Sequence, residues 1–126
     1  RDLLENKVEI ARRDTKEKTF VDIDTCPDYI ESLLQEIQDN LLLRAKAFRS
    51  EYTSSVDDFE SFKEVLENKG GFISAHWDGT SETELKIKEL TKATIRCIPL
   101  DAELENGKCI LTGKPSSKRV LFAKAY

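Results

Sequence analysis

From Asp24 onward the chain carries an apolar pattern that few local structures can satisfy. Ile30, Leu33, Leu34, Ile37, Leu41, Leu42, Ala45 and Phe48 recur at intervals of three and four residues, the spacing of one helix face. Asp24-Thr25-Cys26-Pro27 stands before it, a capping residue followed by proline in the first turn. The spacing predicts a single helix from about Pro27 to about Glu51. Leu41-Leu42-Leu43 widens the stripe, so the helix is expected to touch two partners rather than one. An ordinary amphipathic core helix carries the same kind of stripe.

Upstream, Lys7-Val8-Glu9-Ile10-Ala11-Arg12 alternates polar and apolar residues, and Thr19-Phe20-Val21-Asp22-Ile23 does so again. Both read as strands, joined by the polar stretch Arg13 to Lys18 as a hairpin. Two strands alone are marginal in water. Either they pack on the rest of the chain, or they are the last hairpin of a sheet that has been cut away, and the abrupt start favours the second expectation. Residues 1–6 lack the apolar segment of a signal peptide. No apolar run reaches the length of a membrane span.

Downstream, Ser55-Val56-Asp57-Asp58 predicts a second helix start, with Phe59, Phe62, Val65 and Leu66 on its buried face. Asn68-Lys69-Gly70-Gly71 stops it, glycine being available for the left-handed cap. Gly70-Gly71 is also the expected module boundary. Phe72 to Trp77 reads as a strand, and Asp78-Gly79 as a turn. Ser81-Glu82-Thr83-Glu84 has the form of a capping box, opening a helix through Leu85, Ile87 and Leu90. Further strands are expected at Thr94–Ile98, Cys109–Leu111 and Val120–Tyr126, with a loop at Lys114–Lys118. Pro99 ends the first of these three strands or marks an edge. The fold class is α+β: a two-layer module with a small, mostly antiparallel sheet and packed helices. A long linker helix and an N-terminal β-hairpin precede it. The divisions fall at residues 1–24, 25–69 and 70–126.

The 126 residues carry a net charge of −4, whereas a chain built to coat DNA is usually basic. Three widely spaced cysteines, Cys26, Cys97 and Cys109, suit a reducing cytoplasm. His76 is the only histidine, and no nucleophile motif lies beside it, so a packed or surface role is expected. Lys69-Gly70-Gly71 is not a phosphate loop. Asp57-Asp58 suits a helix N-terminus without a catalytic role.

One constellation has a metal-site form. Trp77-Asp78-Gly79 and Thr83 precede Gly107-Lys108-Cys109-Ile110-Leu111-Thr112-Gly113-Lys114-Pro115. The second segment is shaped like a zinc knuckle, with two positions three apart and then glycine. It offers one thiol and one hydroxyl, where structural zinc takes four thiolate or imidazole ligands.

Several segments occur in an order that is similar to the C-terminal module of archaeal- and eukaryotic-type prolyl-tRNA synthetases. They are Gly71-Phe72-Ile73, His76-Trp77-Asp78-Gly79, Arg96-Cys97-Ile98-Pro99-Leu100, Gly107-Lys108-Cys109, Gly113-Lys114-Pro115 and Arg119 to Tyr126. Arg1-Asp2-Leu3 and Val8 to Thr15 resemble the end of the same family's anticodon-binding domain. The likeness covers nearly the whole chain.

The resemblance implies a parent class II enzyme that joins proline to tRNA(Pro) with ATP and Mg²⁺ in the cytoplasm. The parent is expected to be a homodimer, with no membrane or DNA partner. This chain is then a non-catalytic part, lying beside the upstream catalytic domain. The resemblance places Tyr126 towards the parent's active-site region. It also places four zinc positions at Asp78, Thr83, Cys109 and Thr112, where only Cys109 keeps a thiol, so no zinc is expected; hydrogen bonds and packing among Asp78, Thr83 and Thr112 are expected to close the same loops in its place. Arg12 and Arg13 are candidate tRNA contacts; an ion pair with Glu9 or Asp14 is the alternative for them. A free-standing protein-interaction module is the alternative for the whole chain, and the reading frame upstream of Arg1 separates the two.

Overall fold

Two short strands open the architecture. β1 (Lys7–Ala11) pairs antiparallel with β2 (Lys18–Asp22), Glu9 standing opposite Phe20. The computed structural model describes residues 4–125, so the expectation for Tyr126 lies outside the described residues. A 3-10 turn at Ile23–Thr25 leads into helix α1 (Cys26–Glu51), as the stripe predicts. The chain divides into two compact units, residues 1–48 and 49–126.

In the first unit the hairpin turn is tied to α1 by polar contacts. Arg12 donates to Asp14 through Nε (3.1 Å) and a terminal nitrogen (2.9 Å), and to Glu36 on α1 (2.7 Å). Asn40 Nδ2 donates to Asp14 Oδ2 (2.7 Å). The apolar stripe of α1 is covered much less than its pattern suggests. Leu33 is buried, whereas Leu34 and Leu43 are 62% and 65% exposed. A two-stranded hairpin is too small to cover a helix of 26 residues, which is about 39 Å long.

The second unit holds β3 (Thr53–Ser55), α2 (Phe59–Asn68), β4 (Phe72–His76), α3 (Ser81–Thr91), β5 (Ala93–Cys97), β6 (Gly107–Lys108), β7 (Pro115–Ser116) and β8 (Arg119–Lys124). Its main sheet has the order β3-β4-β8-β5. β3 runs parallel to β4, and the other pairs are antiparallel. β6 and β7 form a separate small ladder. Alternation along the strands sends Ile73, Ala75, Val120 and Phe122 to one face. There they form a buried cluster with Phe62 of α2 and Ile87 of α3. Phe62 meets Phe122 edge-on, with ring centroids 5.2 Å apart.

Four local expectations change. β3 is unforeseen, because three polar residues carry no alternation and are strand only by pairing with β4. Residues 109–111 are not a strand, and a turn falls at 110–112: Cys109 N donates to Lys114 O and Gly113 N to Cys109 O, so these amides serve the loop. The expected loop at 114–118 contains β7. Thr80 caps α3 in place of Ser81: its backbone is extended, and its hydroxyl accepts from Thr83 N (3.4 Å). Gly70 does adopt the left-handed conformation after α2 (φ +67). The division expected there falls inside the second unit, since Val56 and Phe62 share one buried cluster with Ile73 and Phe122.

Candidate functional site

The loop between β4 and α3 meets the 109–114 knuckle around one carboxylate. Gly79 (φ +82) turns the loop, and Trp77 Nε1 donates to Thr80 O (3.0 Å). Gly113 (φ +69) turns the knuckle, and Ile110 N donates to His76 O (3.1 Å). These turns bring Asp78, Thr80, Thr83 and Thr112 together. Thr83 Oγ1 and Thr112 Oγ1 each donate to Asp78 Oδ2 at 2.9 Å. Thr80 supplies its hydroxyl (2.8 Å) and backbone N–H (3.2 Å) to Asp78 Oδ1. An ionised carboxylate has about four acceptor positions, and four donors fill them. Burial pushes the Asp78 carboxyl up; hydrogen bonds from Thr80, Thr83 and Thr112 outweigh this and hold it at about 2, below its ordinary 3.8.

The residues at the four knuckle positions do not fit zinc. Both threonine hydroxyls already donate to the carboxylate, and a neutral hydroxyl is a poor zinc ligand. Cys109 is 2% exposed and is the one thiol in the set. Among the described residues no group of three or more His, Cys, Asp and Glu side chains is placed to hold a metal ion. The chemistry available here is loop closure: one carboxylate ties the β4–α3 loop to the knuckle.

A pH prediction follows from Asp78. Its acidity is increased by folding, so its contribution to stability is complete above about pH 4 and is lost as pH falls through about 2. Asp78→Asn should cost about 1–2 kcal/mol at pH 7, and the difference from the unsubstituted protein should shrink between pH 4 and 2. Urea unfolding followed by Trp77, the only tryptophan, measures this. A pH-independent difference would refute the charge argument.

A second cluster, around Arg119 on β8, escapes sequence reading. Its guanidinium donates to both Glu105 oxygens (2.8 and 3.0 Å), to Asp57, and to the Val56 (3.0 Å) and Ser74 (3.4 Å) carbonyls. The Arg119 hydrogen bond holds the Glu105 carboxyl below its ordinary value, against desolvation. Beside it, His76 is 2% exposed. Ser116 Oγ donates to Lys118 O (3.0 Å), which leaves it to accept from His76 Nδ1 (3.2 Å). His76 Nε2 is buried without a hydrogen-bond partner, 3.8 Å from Glu105 Oε2. Gly107 lies so close to this ring that a Cβ there would stand 2.1 Å from Nε2. His76 is packed, as expected. An arginine beside the apolar run Val120-Leu121-Phe122 was the available signal for this cluster, but its partners lie 14 to 63 residues away.

The two candidate tRNA contacts differ. Arg12 is engaged by Asp14, whose side chain is 2% exposed, and by Glu36. The Arg12 hydrogen bond holds the Asp14 carboxyl well below the usual range, helped by Asn40 and opposed by desolvation. Arg13 is exposed and makes no ion pair among the described residues.

The sequence model of the family described as "Prolyl-tRNA synthetase, C-terminal" matches residues 59–126. The whole chain is 58% identical over 126 residues to a proline–tRNA ligase of Christiangramia forsetii, covering 26% of that protein. It is 60% identical to one from Cytophaga hutchinsonii, again covering 26%, and 56% identical to one from Porphyromonas gingivalis, covering 25%. The chain thus spans about a quarter of the length of the curated relatives it matches.

Proposed function

Since the chain belongs to the prolyl-tRNA synthetase C-terminal family, we propose that it is the non-catalytic C-terminal part of a prolyl-tRNA synthetase. The parent enzyme attaches proline to tRNA(Pro) at the expense of ATP, with Mg²⁺, in the cytoplasm. The observation that carries this reading is the match over residues 59–126, together with relatives of which the chain covers only a quarter. ATP, Mg²⁺, proline and the catalytic groups then belong to the upstream part of the parent, and the parent is a homodimer. The chain's own contribution is structural support. Of the hairpin arginines, Arg13 is the one open to tRNA, since Arg12 already serves Asp14 and Glu36.

The zinc positions of the family take a metal-free form in this reading. Asp78 accepts from Thr83 and Thr112, so a carboxylate draws together the loops that a zinc ion would cross-link. Charge-assisted hydrogen bonds are roughly twice as strong as neutral ones, which suits Asp78 to that work.

Separating the chain from its parent tests the reading. The purified chain should show no proline-dependent ATP–pyrophosphate exchange, no prolylation of tRNA(Pro), and less than stoichiometric zinc by elemental analysis. A protein extended upstream of Arg1 through the parent reading frame should prolylate tRNA(Pro). Prolylation by the 126-residue chain alone, or an upstream frame with no synthetase segment, would overturn it.

A further inference from the structure

We infer that the open face of the four-stranded sheet binds a short single-stranded RNA segment, one base stacking on Phe72 and phosphates meeting Arg49 and Arg96. This rests on the tRNA part of the reading above and moves the principal contact away from the hairpin. The first observation is a cleft of about 820 Å³ on the sheet face opposite the buried cluster. All four strands contribute to it, with Thr53 from β3, Phe72 from β4, Leu121 from β8 and Cys97 from β5. Three inter-strand steps make it about 14 Å across.

The second observation is charge. Arg49 and Arg96 both line the cleft. Neither makes an ion pair or a side-chain hydrogen bond among the described residues, unlike Arg12 and Arg119. Asp101 is the one acid in the lining, so the cleft is net positive in a chain of net charge −4. Guanidinium groups stay charged at all relevant pH and pair with phosphate through two parallel N–H donors.

The third observation is the backbone. The register of β5 slips between Ile95 and Cys97 against Phe122 and Leu121, so Arg96 is the extra residue of a β-bulge. Bulges re-aim side chains and are frequent beside binding sites. This one leaves two successive residues, Arg96 and Cys97, at the same cleft, where regular alternation would send one of them to the other face.

Phe72, Leu121 and Pro99 give the lining its apolar part, and Phe72 is partly exposed there. Aromatic side chains on a sheet surface stack unpaired bases, with flanking cations taking the phosphates. A duplex keeps its bases stacked on one another and offers none to Phe72, so a single strand is the ligand class.

Binding of a fluorescein-labelled, mixed-sequence oligoribonucleotide of about ten nucleotides, and of a tRNA(Pro) transcript, tests this on the 126-residue chain. Affinity should fall with salt. The double variant Arg49→Gln/Arg96→Gln should lose about tenfold at low salt and flatten the log–log salt slope by about 1.4, two phosphate contacts at roughly 0.7 each. Phe72→Leu should weaken binding about fivefold or more. Trp77-monitored unfolding of each variant separates these losses from misfolding. In a Cys26→Ser background, bound oligonucleotide should slow alkylation of exposed Cys97 by N-ethylmaleimide, buried Cys109 reacting little. An unchanged slope in the double variant, or unprotected Cys97 at saturating RNA, overturns the inference. If Arg13→Gln alone flattens the slope, the hairpin is the tRNA contact and the cleft is not. If neither RNA binds, tRNA contact by this chain fails as a whole, while prolylation by the longer protein stands as a separate measurement.

Discussion

Gly71→Ala should lower the stability of the 49–126 unit by about 3 kcal/mol, seen as a urea midpoint displaced by roughly 1–2 M in Trp77 fluorescence. Two effects add. Gly71 has φ +82, where a Cβ costs about 1–2 kcal/mol. The Cβ would also stand 2.2 Å from the Tyr52 carbonyl oxygen. That oxygen accepts the hydrogen bond from Phe72 N (2.8 Å) that leads into the parallel β3–β4 pairing. Backbone cannot swing aside as a flexible side-chain end can, so relief requires separating the strands. Gly70→Ala is the internal control. It shares the positive φ (+67), but its Cβ would meet nothing within 4 Å, so only the conformational penalty of about 1–2 kcal/mol remains. Equal losses in the two variants would show that the close approach to Tyr52 contributes nothing.

Phe62→Ala should cost about 3–5 kcal/mol in the same measurement. Phe62 is fully buried, and its ring meets Phe122 edge-on at 5.2 Å and lies near-parallel to Phe59 at 6.0 Å. Truncation removes the transfer energy of the ring, leaves a cavity, and forfeits an aromatic pair worth about 1 kcal/mol. A small unit of this kind holds about 5 kcal/mol in total, so the variant should be close to its unfolding midpoint without denaturant. Phe59→Ala, at a half-buried position on the rim of the same cluster, should cost clearly less. A loss below about 1 kcal/mol for Phe62→Ala would mean that α2 does not close this core.

The legible features were those whose cause is local. Helix α1 follows from three- and four-residue spacing and from Pro27 in its first turn. The end of α2 at Gly70 follows from a left-handed conformation that glycine adopts without strain. A non-catalytic His76 followed from the lack of a nucleophile motif around it, packed or surface being left open; the fold decided for packed. The knuckle positions were also visible, because turn glycines and ligand spacing are written along the chain. Hidden features depended on partners remote in sequence. β3 has no alternation of its own and exists through its parallel neighbour. The amides around Cys109 bond across a closed turn, which three apolar residues in a row do not reveal. Glu36 holds Arg12 from 24 residues away.

By itself the sequence determined the helices, most of the strands, the family likeness and the chemical poverty of the knuckle as a zinc site, since each depends on residue type and short-range spacing. The sequence, through the family likeness, also named Asp78, Thr83 and Thr112 as the groups that close these loops without zinc; tertiary structure decided that one oxygen of Asp78 accepts from both threonines. Asp78 and Thr112 lie 34 residues apart, and nothing in that spacing states that a single carboxylate oxygen accepts hydrogen bonds from both Thr83 and Thr112. Hydrogen bonds form where the packed core brings donor and acceptor within about 3 Å, and that placement belongs to the whole fold.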